Sequence, residues 1–159
     1  DAGSRAVLVR AAQAAAREGE GGQRAQLLSL CTLKNLAGDG ANRRPMWEDA
    51  AGTRAALVSA AAAAASPPGA GELNGTSRDG EAPRGTVQSH PEARHCALEG
   101  LRSLAHEPLN ARSMWQDRSG ARTALLAAAA DDRFQVRILG LQGLRLLARA
   151  PTNAREMWW

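Results

Sequence analysis

The chain has 159 residues, with 20 basic and 16 acidic side chains and a formal charge of +4, the size of one ordinary domain. Leu, Ile, Val and Phe together number only 26, and alanine supplies about half of the apolar residues, which excludes a thick core of large side chains. With no Tyr, one Phe and six Val plus Ile, β-branched and aromatic residues are too few for a sheet, and an all-α chain is expected.

In chain order, the first element is a helix within residues 1–20, containing Gly3-Ser4-Arg5-Ala6-Val7-Leu8-Val9. Residues 24–65 follow as one unit. Leu27, Leu30, Leu33 and Leu36 recur every three residues and lay an apolar stripe along a helix of about four turns. A short segment from Asn42 to Trp47 comes next, where Asn42, like Asn110 and Asn153 further on, is expected to cap a brief helix by accepting bonds from free N–H groups. Gly52 ends that segment. Leu57, Val58 and the alanine run Ala60 to Ala65 then form a second long helix, alanine having the best intrinsic propensity. Residues 66–91 are dense in Pro, Gly and Ser and lack periodicity, so a flexible surface insertion is expected there. Residues 92–130 form another unit, with its stripe at Leu98, Leu101 and Leu104, and residues 131–159 a partial one, with Ile138, Leu141, Leu144 and Leu147.

These units are copies of one another. Leu33-Lys34-Asn35-Leu36-Ala37, followed by Asn42-Arg43-Arg44-Pro45-Met46-Trp47, returns 68 residues later as Leu101-Arg102-Ser103-Leu104-Ala105 and Asn110-Ala111-Arg112-Ser113-Met114-Trp115. It returns a further 43 residues on as Leu144-Arg145-Leu146-Leu147-Ala148 and Asn153-Ala154-Arg155-Glu156-Met157-Trp158. The difference between the two offsets matches the length of the insertion, so the basic unit is about 43 residues, a period that points to stacked helical modules. The Gly-x-Arg block at Gly3, Gly52 and Gly120 repeats with the same logic.

On these residues the chain resembles the armadillo repeat, with the HEAT repeat as the related alternative. The resemblance rests on Leu-x-Asn-Leu-Ala at 33–37, Asn42-Arg43, Met46-Trp47, Gly52 and Leu57-Val58. It implies a right-handed α-solenoid of about three units, each with one short and two longer helices. The register opens and stops within a unit, so the ends are expected to be incomplete, as in a fragment of a longer array or one covered by a partner. In this family an asparagine lines the concave groove and bonds an extended peptide. That role falls on Asn35, its equivalents being Ser103 and Leu146. The preceding position is cationic three times, at Lys34, Arg102 and Arg145, and a row of like charges favours an acidic partner. The candidate partner-binding residues are therefore Lys34, Asn35, Arg102, Ser103 and Arg145.

The function expected is a non-catalytic protein-interaction or scaffold module for an extended acidic segment or a subunit of a larger assembly. The alternative is RNA or single-stranded nucleic-acid binding through the same arginines. Trp47, Trp115 and Trp158 each follow a Met where the family carries an aliphatic residue, so packing between units is expected rather than base stacking. Arg5, Arg54 and Arg122 are expected to pair with a nearby acid such as Asp49 or Asp117. No catalytic residue, metal site or cofactor is expected: His90, His95, Cys96 and His106 do not share a metal-ligand spacing. Cys31 and Cys96 fall inside helical patterns and are expected as buried free thiols in a reducing compartment. With no apolar run near the ~20 residues of a membrane span and no recognisable signal sequence, an intracellular, cytoplasmic location is expected.

Overall fold

A computed structural model describes residues 2–14, 19–49, 52–62, 91–118 and 120–158. Among them are nine helices and no strand: α1 Ala2–Ala14, α2 Gly19–Gly38, α3 Gly40–Trp47, α4 Thr53–Ala62, α5 Pro91–Leu104, α6 Pro108–Gln116, α7 Ala121–Ala129, α8 Phe134–Leu147 and α9 Pro151–Trp158. The chain is all-helical, as its poverty in strand-forming residues requires. The expected insertion lies outside the described residues except for Pro91, which opens α5, a position where a missing N–H has no cost.

The helices correspond to the sequence units. The Gly-x-Arg block gives α1, α4 and α7; the leucine stripe gives α2, α5 and α8; the Asn-to-Trp segment gives α3, α6 and α9. Packing follows the same order. α2 packs on α5 and α5 on α8, α1 on α4 and α4 on α7, and α3 on α6 and α6 on α9. Within each group α1 packs on α2, α4 on α5 and α7 on α8.

The core is thin and built as the composition implies. Leu30, Leu33, Leu98, Leu101, Leu104 and Leu147 from the stripes, Leu57 and Leu125 from α4 and α7, and Met46 and Met114 from the short helices are fully buried, with Ala37, Ala61, Ala97, Ala121 and Ala128 between them. Small residues let backbones approach. An ideal Cβ on Gly140 of α8 would lie 2.7 Å from Ala128 C and 2.9 Å from Ala129 Cα of α7, whereas one on Gly143 would meet only the Leu125 side chain. Gly100 meets Leu57 in the same way, one unit earlier. Gly52, at φ +99°, is the described residue that requires the left-handed region.

Three expectations are corrected here. Leu141, placed in the apolar stripe, is 53% exposed. Its counterpart Leu98 is buried on a helix flanked by both α2 and α8, while among the described residues α8 has only α5 on that ladder. Trp158 is 86% exposed, unlike Trp47 and Trp115, which are each 4% exposed. Finally, Cys31 and Cys96 are joined in a disulfide, not free, with Cα atoms 5.2 Å apart, a usual separation for a bridge. The two cysteines stand on neighbouring helices α2 and α5 and meet across their interface. The premise for a reducing compartment falls with the free thiols. Among the described residues no helix is long and apolar enough to cross a membrane.

Candidate interaction surface

The short helices fix how successive groups meet. Asn42, Asn110 and Asn153 do not act as N-caps accepting N–H bonds. Each lies inside its short helix and donates from Nδ2 to a carbonyl six residues back, at Leu36 (3.1 Å), Leu104 (3.2 Å) and Leu147 (3.0 Å). These are terminal carbonyls of α2, α5 and α8, which have no partner within their own helix. Asn110 and Asn153 also donate to the short helix of the preceding group, at Arg43 O and Ala111 O, both at 2.9 Å. Capping of α3 falls instead to Asp39, whose side chain accepts from Ala41 N.

The arginines of the Gly-x-Arg block also differ from expectation. Arg54 lies over the Trp47 ring at 5.3 Å and Arg122 over the Trp115 ring at 3.9 Å, both within cation–π range. Asp49 and Asp117 accept instead from Thr53 Oγ1 (2.7 Å) and Ala121 N (3.2 Å), at the starts of α4 and α7. A carboxylate there meets the free N–H groups and the positive end of the helix dipole, which outweighs an exposed pair with a long arginine.

Lys34, Arg102 and Arg145 occupy one register on α2, α5 and α8, three helices packed side by side. Lys34 Nζ lies 3.2 Å from Glu99 Oε2, and Arg102 NH1 donates to Gln142 Oε1 at 3.3 Å. Glu99 and Gln142 are themselves equivalent positions, so each cation bridges to the same site one group later. Arg145 is exposed. Asn35 is exposed, Ser103 half-buried, and Leu146 buried at 5% exposure. The position that would carry a peptide-binding asparagine ladder is therefore turned inward on α8.

Sequence reasoning missed the charges that act on His106. His106 has its pKa lowered, first by loss of hydration and then by the positive charges of Arg43, Arg102 and Arg149. Three arginines from three different groups thus act on one imidazole. Arg43 is held by its own bonds to Ala37 O (3.3 Å) and Gly38 O (2.9 Å). His95 Nε2 lies 3.8 Å from Glu99 Oε2, His90 is outside the described residues, and Cys96 is oxidised. Among the described residues no three His, Cys, Asp or Glu side chains gather to hold a metal.

A partly buried ion pair links α4, α5 and the turn between α7 and α8. Arg94, 1% exposed, donates from Nε to Ala61 O at 3.0 Å and from NH1 to Asp131 Oδ2. Asp131 also accepts from Arg133 N and Arg133 Nε, both at 2.9 Å. Arg133, with Arg94 behind it, holds the Asp131 carboxyl well below the usual carboxylate range. Asp131 thus joins the turn before α8 to α5.

Comparison with protein-family models, with curated proteins and with solved structures gives no match to this chain.

Proposed function

We propose that the chain is an armadillo-like α-solenoid that serves as a non-catalytic interaction or scaffold module, holding an extended acidic segment of a protein partner against the α2–α5–α8 face. The repeated asparagine bonds and the ladder order of the helices support the solenoid part of this reading. The observation that carries the binding part is the shared register of Lys34, Arg102 and Arg145 on three helices packed side by side, with the positive charges of Arg43, Arg102 and Arg149 all acting on His106. Such a field draws in carboxylates and speeds their association. Arg102, bonded to the neutral Gln142, keeps its charge on the face, whereas Lys34, paired with Glu99, mainly holds the geometry.

Titration of a fluorescent Glu/Asp-rich peptide, followed by anisotropy at low salt, tests this. Replacing Lys34, Arg102 and Arg145 together by Ala is expected to weaken binding at least tenfold, with helicity retained by circular dichroism. Unchanged affinity contradicts the reading. Parallel titrations with RNA and single-stranded DNA over a salt series address nucleic acid, for which a steep loss of affinity with salt is expected. Base stacking needs a series of exposed aromatics; Trp47 and Trp115 are buried under arginines and, among the described tryptophans, Trp158 alone is exposed, which favours the peptide reading.

A further inference from the structure

A second concentration of positive charge stands on other helices. Trp115, Arg118, Arg122, Arg155 and Glu156 line one open pocket of about 400 Å³ where the end of α6 and the turn after it meet α7 and α9. Three guanidiniums face a single carboxylate. Glu156 is oriented by the Trp115 indole, whose Nε1 donates to Glu156 Oε2 at 3.0 Å. Among the described residues, Arg118, Arg122 and Arg155 make no ion pair with any acid. Arg122 is fixed in place over the Trp115 ring, and stacking through its face leaves its N–H donors free at the edge.

The repeat shows which parts of this pocket are not needed for packing. The equivalent set one group earlier is Trp47, Arg54 and Arg112, with Ala50 in place of Arg118 and Ser113 in place of Glu156. The tryptophan and its covering arginine recur, but the third guanidinium belongs to the later set alone. Arg118 and Arg155 are exposed, so neither is held there by burial.

We propose that this pocket binds a phosphate dianion. Three positive charges against one negative leave a net +2 that a dianion neutralises, and guanidinium forks match phosphate oxygens bidentately. The opening and volume admit more than the bare ion, so a phosphorylated side chain of a partner and free phosphate are both sources of the same chemistry. The pocket stands whether or not the α2–α5–α8 face holds an acidic segment.

The test is a titration of the 159-residue chain with inorganic phosphate, and separately with a short phosphoserine peptide, its unphosphorylated form and its glutamate form. Ionic strength is held constant, and the arginine Nε–Hε and tryptophan indole NMR signals are followed. Saturable shifts are expected at Arg118, Arg122, Arg155 and Trp115, with the phosphoserine peptide binding at least tenfold more tightly than the glutamate peptide. Tighter binding of that peptide than of inorganic phosphate assigns the source to a protein partner; equal binding assigns it to the free anion. Replacing Arg118 and Arg155 together by Gln is expected to weaken phosphate binding at least tenfold without changing thermal unfolding. Lys34→Gln with Arg145→Gln is expected to leave it unchanged, which separates this pocket from the α2–α5–α8 face. Unsaturable shifts spread over all exposed arginines, or equal affinity in the Arg118→Gln, Arg155→Gln variant, overturn the proposal.

Discussion

Replacing Asn110 by Ala removes a buried amide that satisfies two carbonyls, Leu104 O in its own group and Arg43 O in the preceding one. Losing these two buried hydrogen bonds is expected to cost about 2–3 kcal/mol, measured by urea unfolding. Asn153, with the same two kinds of bond, is expected to behave alike. Asn42, half-buried and bonded to Leu36 O, is expected to cost about half as much, since one bond is lost. The asparagines were legible in the sequence as a recurring position but their direction was not, because the amide both donates and accepts and only the neighbouring helix decides. Asp131 gives a pH dependence of known sign. Its folded pKa is depressed, so the stability it contributes is present above the ordinary carboxyl value near 3.8 and is lost as pH falls through and below it. Asp131→Asn is expected to be less stable at pH 7, through loss of the negative charge paired with buried Arg94, and to show a shallower fall in stability between pH 4 and pH 2. An unchanged slope would contradict the pairing.

At the scale of the helix, the two glycines of α8 separate close backbone approach from ordinary packing. Gly140→Ala forces a methyl against the α7 backbone at Ala128 and Ala129, and is expected to cost about 2–3 kcal/mol. Gly143→Ala meets the movable end of Leu125 and is expected to cost about 1 kcal/mol or less. Equal costs would contradict the α7–α8 packing. Helix positions were the most legible part of the sequence, since leucines at three-residue spacing and alanine runs leave little choice of structure. The failures fall where one helix meets another. Leu141 has the periodicity of a core residue, yet burial depends on a neighbour that its own helix does not supply. The Arg54–Trp47 and Arg122–Trp115 stacks join a residue on one helix to the end of the helix before it, a contact no local spacing announces.

Over the whole molecule, the disulfide is the one covalent tie between groups. It closes a loop of 65 residues that includes the insertion, for which loop-closure entropy gives about 4 kcal/mol of stabilisation. Reduction, or Cys31→Ser with Cys96→Ser, is expected to lower unfolding free energy by up to that amount while leaving the helical content in place, read by denaturation with and without reductant. Its pairing was hidden in the sequence because the cysteines are not equivalent positions: the repeat sets Cys31 against Glu99 and Cys96 against Leu28. The basic row was legible as a register, whereas its bonds to Glu99 and Gln142 and the arginines around His106 arise only when successive groups stack. A crystal structure of the chain tests the central claim most directly. One rotation and translation should carry α2–α3 onto α5–α6, and again onto α8–α9, with Asn42, Asn110 and Asn153 superposed and each donating to the carbonyl six residues back. Helices paired in an unrelated order, with those three amides reaching dissimilar partners, would contradict it.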